Sequence, residues 1–312
     1  MRLIRGLHNL HHSPLGSALT IGNFDGLHRG HQAVLRHLHQ RAAEQHLATT
    51  VMTFEPTAQE YFSPHTAPAR LQRLRDKLAM LRELEVDQVH CLRFDRELAA
   101  MSADAFVGDI LVEGLDVRYL VVGDDFRFGE EREGDFAFLQ RAGKQYGFEV
   151  VSTRTFLEGD DRVSSTRIRQ ALAAGDLAMA EQLLGRPYRI CGRVSPGQQR
   201  GRTIGFHTAN IRLHRVVSPL RGVFAVRAYG LGDDPLDGIA NVGTRPTVDG
   251  SYCVLEVHLF DFDADIYGRY LDVEFCEKLR EEKKFESFEA LKRQIETDVE
   301  QARKFFSERV RE

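Results

Sequence analysis

The stretch Thr20-Ile-Gly-Asn-Phe-Asp-Gly-Leu-His-Arg-Gly-His31 decides the reading of the first half of the chain. A β-compatible run, Ala18 to Phe24, feeds a turn with glycines at 22, 26 and 30. Val34, Leu35, Leu38 and Ala42 then repeat at helical spacing. A strand, a Gly-rich turn and a helix N-terminus together make an anion site, because the unpaired N–H groups and the positive end of the helix dipole converge there. His28 and His31 add donors at the same place. The spacing fits neither GxGxxG nor a P-loop, so a phosphate-binding turn and a plain turn both remain open on residue types alone.

Outward from that turn, residues 1 to about 186 alternate strand and helix. Strands are expected at Thr49–Phe54, Val86–Phe94, Tyr119–Gly123 and Phe148–Thr153. Helices are expected at Leu71–Leu84, Ala103–Val112, Phe136–Tyr146 and from Ser164 onward, with Ser164 or Ser165 as N-cap. Such alternation predicts a parallel sheet covered on both faces, with ligands beyond the carboxyl ends of its strands. The opening motif, Phe54-Glu-Pro56, Gly123-Asp-Asp-Phe126 and Ser164-Ser-Thr166 are all expected at such ends. Past Leu184-Gly-Arg-Pro187 the texture changes. Short strands at 188–194, 209–213, 222–228, 239–242, 252–259 and 270–275 are separated by Gly/Pro turns, the pattern of a small antiparallel barrel. Phe288, Leu291, Ile295, Val299, Ala302 and Phe306 mark a long amphipathic helix that closes over it. The charge-dense stretch 277–286 reads as a solvated face.

Composition bounds the partners. A chain of 312 residues suits two domains, expected at 1–186 and 187–312. A net charge of −4 gives no global basic field, which argues against a nucleic-acid partner. No apolar run is long enough to span a bilayer. The four cysteines lie far apart, without a CxxC pair, and no signal-peptide pattern is present. Both features suit a cytoplasmic enzyme, and a monomer or weak homo-oligomer is expected.

Gly22-Asn-Phe-Asp-Gly-Leu-His-Arg-Gly-His31 resembles the GxFDGxHxGH signature of the nucleotidylyltransferase superfamily, in its FAD synthetase branch. Val122-Gly-Asp-Asp-Phe-Arg-Phe-Gly129, Ser164-Ser-Thr-Arg-Ile-Arg169 and Phe54-Glu-Pro-Thr-Ala-Gln-Glu-Tyr-Phe62 are similar to further segments of that branch. In the second half, Arg200-Gly-Arg-Thr-Ile-Gly-Phe-His-Thr-Ala-Asn210 resembles the flavokinase signature GRxLGFPTAN. Asn241-Val-Gly-Thr-Arg-Pro-Thr247 and Leu255-Glu-Val-His-Leu-Phe-Asp-Phe262 match two more kinase segments. In this order, over nearly the whole chain, they resemble the bifunctional bacterial riboflavin kinase/FMN adenylyltransferase family.

The resemblance implies a Rossmann-like α/β nucleotidylyltransferase domain, then a β-barrel flavokinase domain with a C-terminal helix. It implies two reactions with ATP and Mg²⁺: riboflavin to FMN in the barrel, and FMN to FAD in the α/β domain. Adenylyl transfer needs positioning and charge neutralisation rather than a nucleophile on the protein. The implied ATP-phosphate contacts are His28 and His31, with Gly22, Phe24, Asp25, Gly26, Ser164, Ser165 and Thr166 lining the nucleotide site. Arg169 is the motif arginine, ahead of Arg167. Phe54, Pro56, Phe62, Asp125 and Phe128 are implied flavin contacts. Asp125 stands where some relatives carry Asn, and its role stays open. For the kinase, Gly201 and Gly205 let the backbone approach phosphates, Thr208 and Asn210 hold Mg²⁺ and nucleotide, and Glu256 is the base. Position 207 is His where the family usually has Pro, which loosens the loop before Thr208. Two rivals are weighed: a nucleotidylyltransferase for another phosphorylated substrate, such as a pantetheine or nicotinate nucleotide, and a flavin-binding regulator with inactive sites. The kinase-like half argues against the first, and the intact His28, His31, Thr208, Asn210 and Glu256 against the second.

Overall fold

A computed structural model describes residues 1–10, 13–153, 157–158, 161–196, 206, 208–213, 217–247 and 250–309. The chain forms two compact units: Met1–Ala67 with Gln72–Ser164, and Pro68–Leu71 with Ser165–Glu312.

The first unit is built on six parallel strands: β1 (Arg2–Arg5), β2 (Ser17–Ile21), β3 (Ala48–Phe54), β4 (Gln88–Leu92), β5 (Val117–Gly123) and β6 (Glu149–Thr153). Their order is β1-β4-β3-β2-β5-β6. The helices are α1 (Arg29–Gln45), α2 (Ala58–Phe62), α3 (Leu74–Glu83), α4 (Arg96–Ala99), α5 (Ala103–Ala105) and α6 (Phe136–Tyr146). The helix expected over 103–112 is α5 running into a π-helical segment, Phe106–Gly114. One sheet face packs Leu19, Ile21, Met52, Leu120 and Val122 on that segment and α6. The other packs Ala18, Val51, Val89 and Tyr119 on α1 and Leu81 of α3. Covering on both faces explains why β2 is buried at every residue.

After β6 comes a small antiparallel hairpin, β7 (Leu157–Glu158) with β8 (Asp161–Arg162). The second unit then adds α7 (Ser165–Ala174) and α8 (Leu177–Leu184) to strands β9 (Arg189–Ser195), β10 (Ala209–Arg212), β11 (Gly222–Tyr229), β12 (Leu236–Thr247), β13 (Gly250–Leu259) and β14 (Tyr270–Arg280), and ends in α9 (Phe288–Arg309). The six strands close an antiparallel barrel in the order β10-β13-β12-β11-β14-β9. Inside it, Ile211, Phe224, Val226, Ala240, Val242, Leu255, Val257, Val273 and Phe275 are all buried. Outside, Ala302 and Phe306 of α9 cover Ala225, Ile239 and Phe260, as the amphipathic pattern predicts.

Packing counts α7 and α8 with the barrel. Gly175, between these helices, lies against the stem of Lys278 on β14, and Tyr188 Oη donates to the Leu71 carbonyl at 2.9 Å. The expected solvated face at 277–286 is therefore only partly solvated. Lys278 covers Gly175, and Arg280 pairs with Asp298, which is 1% exposed. None of the four cysteines is in a disulfide, and burial, with Glu274 nearby, pushes Cys276 up to about 12.

Candidate active sites

In the first unit the chain runs β2, β3, β4 outward to one side and then returns to place β5 on the other side of β2. The switch point lies at the carboxyl ends of β2 and β5, where open α/β sheets bind ligands. The loop 22–28 leaves β2 there, and Gly123-Asp-Asp-Phe126 leaves β5. Phe54-Glu-Pro56 lies at the same edge, at the end of β3. Ser164-Ser-Thr166 differs from expectation: it follows the β7–β8 hairpin, not a strand of the sheet, and α7 begins at Ser165.

The loop is tightly wound. Phe24 (φ 47°), Gly26 (φ 85°) and Leu27 (φ 41°) are all left-handed. For the two side-chain-bearing residues this costs about 1–3 kcal/mol each. Both are buried with Leu35 and Leu38 of α1, a gain of about 1.5–3 kcal/mol per side chain that offsets the strain. Gln32 Nε2 donates to the Leu27 carbonyl at 2.8 Å. Asp25 Oδ1 accepts the Gln72 amide at 3.3 Å.

His28 is the N-cap of α1. Its Nδ1 accepts the His31 N–H at 3.3 Å, the part usually played by Ser, Thr or Asp. That bond assigns the ring proton to Nε2, so His28 carries a fixed donor at the helix N-terminus. Gly30 leaves room for the ring, since a Cβ there would press on its Cε1 and Nδ1 at 3.2 Å. The His31 ring stacks on His28 with centroids 3.7 Å apart and touches Phe24 at 5.0 Å. Burial, then His28, then Lys77 hold His31 well below the ordinary histidine range. Its Nδ1 is buried with no hydrogen-bond partner among the described residues. His31 is thus a neutral imidazole placed where a polyphosphate would favour its protonation.

The flavin candidates divide. Phe54 (at the end of β3) and Phe62 (65% exposed, on α2) both pack on Phe94, at 6.0 and 5.6 Å, and Tyr61 joins them at 5.5 Å. Pro56 follows Phe54 through a cis peptide bond. Asp125 is exposed in the turn after β5, its carboxylate over Gly123. Phe128 is instead a core residue, 7% exposed and enclosed by Phe106, Phe126 and Phe138, so its ring is fully engaged in packing.

Phe94 and Tyr61 escaped the sequence reading. Phe94 reads as the last residue of an apolar strand and Tyr61 as one of a pair. Lys77 also escaped. It occupies the core-facing stripe of α3, four residues before Leu81, a charged residue at an apolar step.

In the second unit Arg169 Nη1 reaches the Ala69 carbonyl at 3.5 Å, while Arg167 contacts Met179 Sδ at 3.8 Å. Ser164 and Ser165 are half-buried and Thr166 is exposed at the start of α7.

Barrel register aligns the kinase candidates. Asn210 of β10 stands opposite Glu256 of β13, and Glu256 stands opposite Asn241 of β12. Directly paired residues share a face, so the three form one row on the outside of the barrel. Thr208 lies half-buried just before β10, and its carbonyl accepts Asn210 Nδ2 at 3.4 Å. Asn241 Oδ1 is buried with no hydrogen-bond partner among the described residues. Two residues on, the Glu282 carboxylate lies against Gly243. His258 packs between Phe206 and Phe260 on the same face. Gly201, Gly205 and His207 lie outside the described residues.

A helix N-terminus with two histidines at a sheet switch point and, separately, an Asn–Glu–Asn row on a barrel are two arrangements of the kind that phosphate-transferring enzymes use. Comparison with known proteins narrows this. The FAD synthetase family model matches residues 10–167, and the riboflavin kinase family model matches 184–306. The chain is 55% identical over 307 residues to the bifunctional riboflavin kinase/FMN adenylyltransferase of Escherichia coli K12, covering 98% of each. It is 54% identical to the enzyme of that description from Haemophilus influenzae, covering 98% of this chain and 100% of that one. A crystal structure described as a macrolide-efflux protein from Streptococcus pneumoniae superposes with a TM-score of 0.78 at 29% identity, covering 97% of this chain and 99% of that one. The chain belongs to the bifunctional riboflavin kinase/FMN adenylyltransferase family. No helix among the described residues is long and apolar enough to cross a membrane.

Proposed function

We propose that the barrel phosphorylates riboflavin to FMN and that the α/β unit adenylylates FMN to FAD. The observation that carries this is the pairing of two built sites in one chain of this family: the His28–His31 helix start and the Asn210–Glu256–Asn241 row. The functional domains are taken as 1–186 and 187–312, a division by chemistry that need not follow packing.

In the kinase step Glu256 takes the proton of the riboflavin 5′-hydroxyl as that oxygen attacks the γ-phosphorus of ATP. The bond to the β–γ bridging oxygen breaks and ADP leaves. Base help of this kind is typically worth about 10²–10⁴-fold. Thr208 and Asn210 are hard oxygen donors suited to Mg²⁺ shared with phosphate oxygens, and the Asn241 oxygen lies in the same row as Asn210. No cluster of three His, Cys, Asp or Glu that could hold a metal occurs among the described residues. When bound, Mg²⁺ would neutralise phosphate charge.

In the adenylyl step an FMN phosphate oxygen attacks the α-phosphorus of ATP and pyrophosphate leaves. His28 donates from Nε2, and His31 gains a proton as the triphosphate charge approaches. Gly22, Phe24, Asp25 and Gly26 shape the turn. Ser164, Ser165, Thr166 and Arg169 supply hydroxyls and a guanidinium for phosphate oxygens. Phe54, Pro56, Phe62 and Asp125 meet the flavin. The enzyme acts on small molecules in the cytoplasm as a monomer or weak homo-oligomer, without a nucleic-acid partner.

The test is to incubate the protein with riboflavin, ATP and Mg²⁺ and separate the flavins. His28→Ala with His31→Ala should abolish FAD formation and spare FMN formation. Glu256→Ala should abolish FMN formation and spare FAD formation from supplied FMN. Loss of both activities from either change, in a folded protein, would defeat the assignment.

A further inference from the structure

The turn that presents His28 and His31 is pinned from beneath by a residue with no assigned part in the reaction. Lys77 of α3 is 5% exposed, and its Nζ donates to the Asn23 carbonyl at 2.6 Å. Burying an ammonium carries a large desolvation cost unless it is bonded. A leucine at this step of the stripe would pack without that cost, so the charge itself calls for an explanation. Asn23 immediately precedes the left-handed Phe24, which places the bond at the point where the chain enters its strained turn. Lys77 also lies close enough to His31 for its charge to disfavour the imidazolium there. The groups bearing on His31 are His28, from the start of its own helix, and Lys77 from α3. Asp25 of the loop is turned to the Gln72 amide.

We propose that Lys77 is a positioning residue for adenylyl transfer: its buried ammonium ties the Asn23 carbonyl and sets the turn that presents His28 and His31 to the ATP triphosphate. The inference rests on reading those histidines as the ATP site. Beyond holding the turn, the lysine adds fixed positive charge behind the site, where the arriving triphosphate is strongly anionic. Before ATP arrives, that same charge adds to burial and His28 in disfavouring the His31 imidazolium.

The experiment compares Lys77→Met and Lys77→Arg with the parent as full chains. It measures FAD formation from FMN and ATP across the range where histidine titrates. For Lys77→Met, the expected result is an ATP KM raised about tenfold or more, a smaller change in kcat, and an alkaline limb displaced to higher pH. Lys77→Arg should keep the alkaline limb near that of the parent, because the charge survives. Riboflavin kinase turnover should be unchanged in both. Hydrogen exchange of the β2 and α1 amides reports whether the first unit is folded, and Lys77→Gln replaces the methionine variant if that one is not. A parental ATP KM and a parental alkaline limb in a folded neutral variant would overturn the proposal. His28→Ala with His31→Ala is assayed alongside. If that variant still makes FAD, the histidine site itself is wrong. If it does not, while the neutral Lys77 variant behaves as the parent, only the role of Lys77 fails.

Discussion

Removing the Asp298 carboxylate tests how α9 is held on the barrel. Asp298 is buried on α9 and accepts Arg280 Nε at 2.9 and 3.1 Å, Arg280 Nη2 at 2.7 Å and Gln294 Nε2 at 2.9 Å. Arg280 ends β14, so this pair joins the helix to the strand. It lies next to the segment that carries Glu282 against Gly243. Breaking a buried pair by deleting one partner costs about 3–5 kcal/mol, because the other charge stays desolvated. The Arg280 side chain keeps 19% of its surface in water, so part of its charge is still solvated. The low end, about 3 kcal/mol, therefore applies to Asp298→Ala, and it falls on the opening of α9 rather than on the barrel ladder. Hydrogen exchange of the α9 amides should accelerate on the order of 10²-fold, while β12 and β13 amides change little. Asp298→Asn keeps an acceptor and should lose less. Riboflavin kinase turnover should fall with α9 protection, and FAD formation from supplied FMN should not. Unchanged α9 exchange in Asp298→Ala would refute the reasoning, since it would mean that the apolar cluster of Ile295, Val299, Ala302 and Phe306 holds the helix alone.

Two further outcomes follow from the first unit. His31 is held neutral in the folded state, so its unfolded form binds a proton first as the pH falls. Stability should then be full above about pH 6.5 and decline below it, a slope that denaturant titrations should find reduced in His31→Asn. Phe94→Ala removes three ring contacts, worth about 0.5–1.5 kcal/mol each, from around the proposed flavin residues. The KM for FMN in FAD formation should rise about tenfold with kinase turnover unchanged, and an unaltered KM would remove that cluster from the flavin site.

Periodicity carried much of this architecture. The helix 136–146 was legible to the residue, because Asp135 caps it and Gly147 ends it. The barrel strands were legible because their inner face alternates with an outer one. What was not legible has physical reasons. β1 (Arg2–Arg5) buries only Ile4 and has no periodicity to show. Strand order in the sheet is a long-range pairing, and the β2–β5 contact that creates the switch point leaves no local mark. The packing of α7 and α8 with the barrel rests on contacts such as Gly175 with Lys278, in a stretch whose charge density alone suggested a solvated face.

The sites show the same division between what is local and what is not. The phosphate turn is local: one decapeptide contains both histidines, the glycine that makes room for His28 and the left-handed residues that aim the helix. The kinase row is not local, because Asn210, Asn241 and Glu256 stand on three strands and only register brings them side by side. Taken singly, Asn241 is a turn residue and Glu256 a polar residue on a strand. Side by side they put a carboxylate between two amides, and one amide oxygen is buried without a partner among the described residues. An unpaired buried acceptor is unfavourable by about 1–3 kcal/mol. A substrate hydroxyl or a cation bound at the row would remove that penalty, which gives Asn241 a reason to stand beside Glu256.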